Sequence, residues 1–146
     1  MQEALPKEMY VDGAAWRAER DAVLHGEWFC VGRLDGLGLH QPSRVAVVDV
    51  AGESVLVTSD ADGTLHASYN VCRHRGSQIL PPGDGPAAAA CPASALRCPY
   101  HSWTYALDGR LLRSPHADLD DPAAFALNPV GVDTWGGFVF VHLTPD

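Results

Sequence analysis

The 146-residue sequence has no run of about 18 apolar residues, so it offers no single-helix membrane span. Its start, Met1 to Glu8, lacks a basic segment followed by an apolar stretch and has no secretory leader pattern. The expectation is a cytoplasmic protein whose thiols stay reduced. Basic residues are scarce, 10 Lys and Arg against 18 Asp and Glu, and the formal charge of −8 argues against a nucleic-acid surface. Internal repeats and blocks of like charge are absent. Gly83-Asp84-Gly85-Pro86-Ala87-Ala88 mimics a dinucleotide fingerprint, but no strand leads into it and Pro86 sits inside, so nucleotide binding is not expected.

With 47% apolar residues, the chain suits one compact domain. Asp12 can cap a helix over Ala14 to His25, with Trp16, Arg20, Val23 and Leu24 at helical spacing and Gly26 ending it. Beyond it the pattern turns to strands: Trp28 to Arg33, Arg44 to Val50, Ser54 to Thr58, Leu65 to Asn70, Ser102 to Ala106, Arg110 to Leu112, Val130 to Thr134 and Gly137 to Leu143. Asp49 to Glu53, Asp60 to Gly63 and Asp108-Gly109 mark tight reversals, and Asp121 to Phe125 a short helical turn. Many short antiparallel strands with regular turns predict a mainly β sandwich or partly open barrel.

Four cysteines are few enough to inspect singly. Cys30, inside an apolar strand, reads as a buried small hydrophobe. Two others belong to mixed hooks, Cys72-Arg73-His74 and Cys98-Pro99-Tyr100-His101, each pairing one sulfur with one imidazole. Chance supplies two such hooks about one time in twenty-five, so their flanks must decide what they hold. A structural zinc site is one reading, although zinc fingers usually draw two cysteines from one turn and two histidines from one helix. A two-iron cluster is the other: in a Rieske [2Fe–2S] centre one iron carries two thiolates and the other two imidazoles, so each mixed hook serves both irons.

The flanks carry a resemblance. Asn70-Val71-Cys72-Arg73-His74-Arg75-Gly76-Ser77 and Leu96-Arg97-Cys98-Pro99-Tyr100-His101-Ser102-Trp103-Thr104-Tyr105, then Leu107 to Leu111, resemble the cluster-binding loops of Rieske non-heme iron oxygenases. The likeness extends upstream through Trp28 to Arg33 and downstream to Gly137 to Val141. It implies an N-terminal helical extension over 1–26 and a Rieske domain over 27–146, with three small antiparallel sheets and the cluster between two loops at one tip. The sequence departs from the family pattern in two places. His74 and Cys98 lie unusually far apart, and Cys91-Pro92-Ala93-Ser94 copies the start of the second hook without its histidine. Pro81 to Ala90 reads as an inserted surface loop within the long 78–97 interval. Ser102 stands where the family often has Gly.

The resemblance implies Cys72, His74, Cys98 and His101 as ligands, the thiolates on an inner ferric iron and neutral imidazoles on the outer one. Arg73 and Arg75 would flank the site, Gly76 would let the loop pass close, Pro99 would stiffen the second loop, and Ser77 and Tyr100 stand where respiratory relatives carry a disulfide. Trp103 replaces a hydroxyl that donates to a cluster sulfur in those relatives, which implies a potential at the low end of the Rieske window, about −150 to +300 mV.

The seven histidines include no pair with the four- or five-residue gap of the oxygenase's mononuclear iron motif, so that Fe(II) would belong to a catalytic domain absent from this sequence. The expected activity is therefore electron transfer from a reductase or ferredoxin, with His101 as electron exit, for O2-dependent hydroxylation or demethylation in an α subunit of trimeric type. The segment Cys72 to Ser77 also looks like members acting on quaternary ammonium compounds. A free-standing Rieske ferredoxin is the alternative, opposed by the N-terminal helix and the Trp28 segment. The acidic balance serves solubility, and would steer a basic reductase or ferredoxin face toward the protein.

Overall fold

The computed structural model describes residues 4–82, 90–115 and 117–144. Two short helices open the chain, α1 (Glu8–Val11) and α2 (Gly13–Glu19). The Asp12 carboxylate caps α2 by accepting from the N–H groups of Ala14 and Ala15 at 2.6 and 3.1 Å. The helix then widens into a π turn, Arg20–Leu24, where His25 N–H donates to the Arg20 carbonyl. This widening breaks the expected single helical face, and no residue of these helical segments is buried. Trp16 and Val23 remain half exposed, at 49% and 51%. Among the described residues no helix is long and apolar enough to cross a membrane.

Ten strands follow: β1 (Phe29–Arg33), β2 (Arg44–Val50), β3 (Glu53–Ser59), β4 (Leu65–Tyr69), β5 (Cys91–Pro92), β6 (Leu96–Arg97), β7 (Thr104–Tyr105), β8 (Leu111–Arg113), β9 (Pro129–Trp135) and β10 (Phe138–His142). All pairings are antiparallel. They make three small sheets, β1-β10-β9, β4-β3-β2-β5 and β6-β7-β8, of which the first two join where the start of β9 pairs with β4. A single turn of 3-10 helix, Pro122–Phe125, precedes β9 and is capped by Asp121.

The β2–β3 hairpin is buried on both faces, which explains its near-continuous valine. Alternation sends Ala46, Val48, Val50, Val55 and Val57 into one core with Val139 and Val141 of β10. Val45 and Leu56 face a second core built with Cys72, Ile79, Leu96, Cys98, Trp103 and Tyr105. The hairpin turn is Ala51-Gly52, both at positive φ (50° and 99°), and the Asp49 carboxylate accepts from the Gly52 N–H.

One expectation needs correction. Cys30 is exposed, because Phe29 and Val31 take the inward positions of β1 and alternation turns Cys30 outward. Of the expected Pro81 to Ala90 loop, only the ends are described. Pro81 and Pro82 are exposed and 83–89 lie outside the described residues, but Cys91 and Pro92 form β5 against Val45 and Arg44 of β2.

Asn70 ties the second core to the loop above it. Its amide donates to Ser54 Oγ and the Leu80 carbonyl at 3.1 and 2.7 Å, and its Oδ1 accepts from the N–H groups of Ile79 and Leu80. The residue is 1% exposed, so removing the side chain strands several buried groups at once. Asn70→Ala should lower the unfolding free energy by about 3 kcal/mol, and a denaturant midpoint within error of the parent would contradict this role.

Candidate metal centre

The two hooks sit on loops with the same backbone wiring. Cys72 N–H donates to the Ser77 carbonyl at 2.8 Å and Gly76 N–H to the Cys72 carbonyl at 3.0 Å. Cys98 N–H donates to the Trp103 carbonyl at 2.8 Å and Ser102 N–H to the Cys98 carbonyl at 3.1 Å. Each loop thus closes five residues after its cysteine, and the fourth residue is left-handed in both: Gly76 at φ 69° and Ser102 at φ 61°. Glycine takes that conformation freely, whereas serine is strained there. Ser102 is held by Arg97, whose guanidinium donates to Ser102 Oγ at 2.8 Å, and by Thr104, whose hydroxyl donates to the Ser102 carbonyl at 3.0 Å. The turn therefore keeps its shape despite the departure from the usual glycine.

This wiring sorts the four side chains into two pairs. Cys72 and Cys98 are both buried, 2% exposed, with their thiols in mutual contact. The His74 and His101 rings lie edge to face with centroids 4.8 Å apart, His74 exposed and His101 half-buried. Trp103 stacks flat on His74 at 4.9 Å and 6°, and Tyr100 covers His101 at 3.9 Å. Pro99 and Ser77 lie on the same loops, exposed and half-buried respectively. Arg73 and Arg75 are both exposed beside His74. Cys91 is on the sheet edge at β5, apart from this arrangement.

The surroundings favour thiolate at Cys98 and neutral imidazole at His74. Burial pushes both thiols up. At Cys98 the N–H groups of Tyr100 and His101, with the neighbouring thiol, outweigh burial and bring it below the ordinary cysteine value. At Cys72 burial prevails over the Tyr105 hydroxyl and the His74 N–H, so Cys98 is the first to ionise. Desolvation, then His101 and Arg75, lower His74 toward its uncharged form. The Nδ1 of His101 is buried with no hydrogen-bond partner, and so is Nε1 of Trp103. An unpartnered buried imidazole nitrogen on the same loop as a buried thiol suits a metal ligand.

Tyr105 belongs to the site although its spacing from Cys72 gives no hint of it. Its hydroxyl accepts from the Arg73 N–H at 3.1 Å, which directs its own proton toward Cys72 Sγ at 3.2 Å. Burial, then the sulfur contact, push its phenol well above the ordinary tyrosine value, so it stays a donor. Alternation from Trp103 along β7 was the available signal, since positions two apart share a face.

A family model described as the Rieske [2Fe-2S] domain matches residues 27–126. The carnitine monooxygenase oxygenase subunit of Acinetobacter pittii is 33% identical over 141 residues, covering 94% of this chain and 36% of that protein. The glycine betaine monooxygenase oxygenase subunit of Pseudomonas aeruginosa is 35% identical over 145 residues, covering 96% of this chain and 31% of that one. The chain thus spans about a third of the length of these curated relatives. A solved quaternary ammonium Rieske monooxygenase superposes with a TM-score of 0.83 at 31% identity over 95% of this chain and 37% of that one. Naphthalene 1,2-dioxygenase, at 22% identity and a TM-score of 0.78 over 93% of this chain and 30% of that one, shares the fold. With the matching loops, the buried thiol pair and a family model covering more than half its length, the chain belongs to the Rieske [2Fe–2S] domain family and is homologous to Rieske oxygenase subunits.

Proposed function

We propose that the hooks hold a [2Fe–2S] cluster through Cys72, His74, Cys98 and His101, and that the chain is the electron-relay part of an oxygenase α subunit. The observation that carries this reading is the sorting of four side chains into a buried thiol pair and a more exposed imidazole pair. Such a cluster takes up and gives away one electron at a time, at a potential raised by its neutral ligands. Cys72 and Cys98 hold the inner iron as thiolates, while His74 and His101 hold the outer one at the protein's edge. Trp103 and Tyr100 exclude water from the rings, and the left-handed Gly76 and Ser102 aim both cysteines inward. The Tyr105 proton draws charge from Cys72 Sγ.

The cluster would supply one-electron transfer between a reductase or ferredoxin and the mononuclear Fe(II) of a catalytic domain, with His101 as the ligand on the exit side, within a trimer of α subunits. Relatives align over the N-terminal helices and the Trp28 segment as well as the loops, which supports an oxygenase subunit over a free-standing ferredoxin. Quaternary ammonium oxygenases are 33% to 36% identical over nearly the whole chain, which supports demethylation or hydroxylation of such a compound rather than of an aromatic ring.

Iron and acid-labile sulfide should each reach about two per chain after reconstitution. His74→Ala and His101→Ala should lose the intact cluster, and its retention in both variants would defeat the ligand assignment. Tyr105→Phe should keep the cluster and lower its potential by some tens of millivolts, since a hydrogen bond to thiolate stabilises the reduced state; an unchanged redox titration refutes that role. With reductase, a full-length α subunit should consume O2 on addition of carnitine or glycine betaine. Uptake driven by naphthalene alone would overturn the substrate class.

A further inference from the structure

The charge around the hooks runs opposite to that of the chain. Against a net charge of −8, residues 71–80 and 96–106 contain no Asp or Glu but include Arg73, Arg75 and Arg97. The fold adds a fourth cation. Arg97 and Arg113 both pair with Thr104, so β6-β7-β8 sets them in one row, and together with Tyr100, His101, Ser102 and Pro115 they line an open cleft of about 390 Å3. Arg75 lies close enough to His74 to act on its charge.

These four guanidiniums are exposed, and among the described residues none has a carboxylate within 4.0 Å. Of the five arginines elsewhere, three pair with a neighbouring carboxylate, Arg20 with Asp21, Arg33 with Asp35 and Arg110 with Asp108, while Arg17 and Arg44 have none within 4.0 Å among the described residues. Tyr100, in the same cleft as Arg97 and Arg113, is 63% exposed, and Val71, two residues before Arg73, is 41% exposed. An apolar centre within a charged rim is the anatomy of a protein interface.

We propose that this tip is the docking face for an acidic electron-donor protein, one whose own redox group is ringed by carboxylates. The inference rests on the cluster reading above and goes beyond it by fixing the partner's polarity, which is the reverse of what the net charge suggests. A donor fits better than a second copy of this chain because the collar is centred on the two imidazoles, the edge an electron must cross. Transient encounter also needs speed and orientation rather than area, and a local field supplies both.

The probe is a reduced acidic [2Fe–2S] ferredoxin of plant type, mixed with the cluster-loaded protein in a stopped-flow instrument. The second-order rate constant should fall as salt rises from about 20 to about 500 mM. At low salt Arg113→Glu, alone and with Arg75→Glu, should slow reduction by about tenfold or more, while Arg17→Glu, the same charge change on α2, leaves it nearly unchanged. Photoreduced deazaflavin, a small reductant that needs no docking face, should reduce parent and variants alike. A rate that rises with salt, or an Arg113→Glu variant matching Arg17→Glu, overturns the proposal. So does salt-sensitive self-association through the collar without an effect on the donor, which assigns the face to a second copy. Failure of deazaflavin to reduce any form would show that the cluster reading itself is wrong and would take the docking face with it.

Discussion

Two thiolates must be buried side by side while two imidazoles stay at the surface, and most of this structure follows from that demand. Burying paired negative charge is costly unless hydrogen-bond donors meet it. Here the donors are backbone N–H groups of the loops themselves, at Tyr100 and His101 for Cys98 and at His74 for Cys72, joined by the Tyr105 hydroxyl. A tight left-handed turn after each hook makes those N–H groups converge. The loops are therefore near copies in hydrogen bonding although one places its histidine two residues after the cysteine and the other three.

Everything beneath the loops serves to keep them facing one another. Asn70 fastens the first to β3 and to residues 79 and 80. The short β6-β7-β8 sheet carries the second. Both rest on the core face presented by Val45 and Leu56, while the other face of the same hairpin seals the larger core. Trp103, just before β7, and Tyr105, within it, are both buried in the second core, so one short segment both covers His74 and supplies a donor to Cys72. In the proposed cluster the potential would depend on more than the residue at position 103, since Tyr105 offers Cys72 Sγ a donor.

The sequence made the proposed ligands legible because chemistry confines such residues to a few types at close spacing, and their flanks are equally constrained. Strands such as Arg44–Val50 were legible for a related reason, that burial on both faces leaves a run of valine. What escaped was set by distant contacts. Nothing local in Cys91-Pro92 announces that β2 will offer it a free edge, and nothing in Trp28 to Arg33 says which alternation Cys30 will follow. Likewise the π turn after Glu19 shifts a helical face that the apolar spacing alone draws straight. The cationic collar was hidden by summing charge along the chain, where Arg113 is remote from Arg97 until the small sheet pairs them through Thr104.

The division of sulfur and nitrogen between two irons is most directly tested by Mössbauer spectroscopy of the reduced, 57Fe-reconstituted protein. The account predicts two unlike sites in equal amount, a ferric iron with sulfur ligation and a ferrous iron whose higher isomer shift reports nitrogen ligands. Two sites both typical of all-sulfur ligation, or a single mononuclear site, would contradict it.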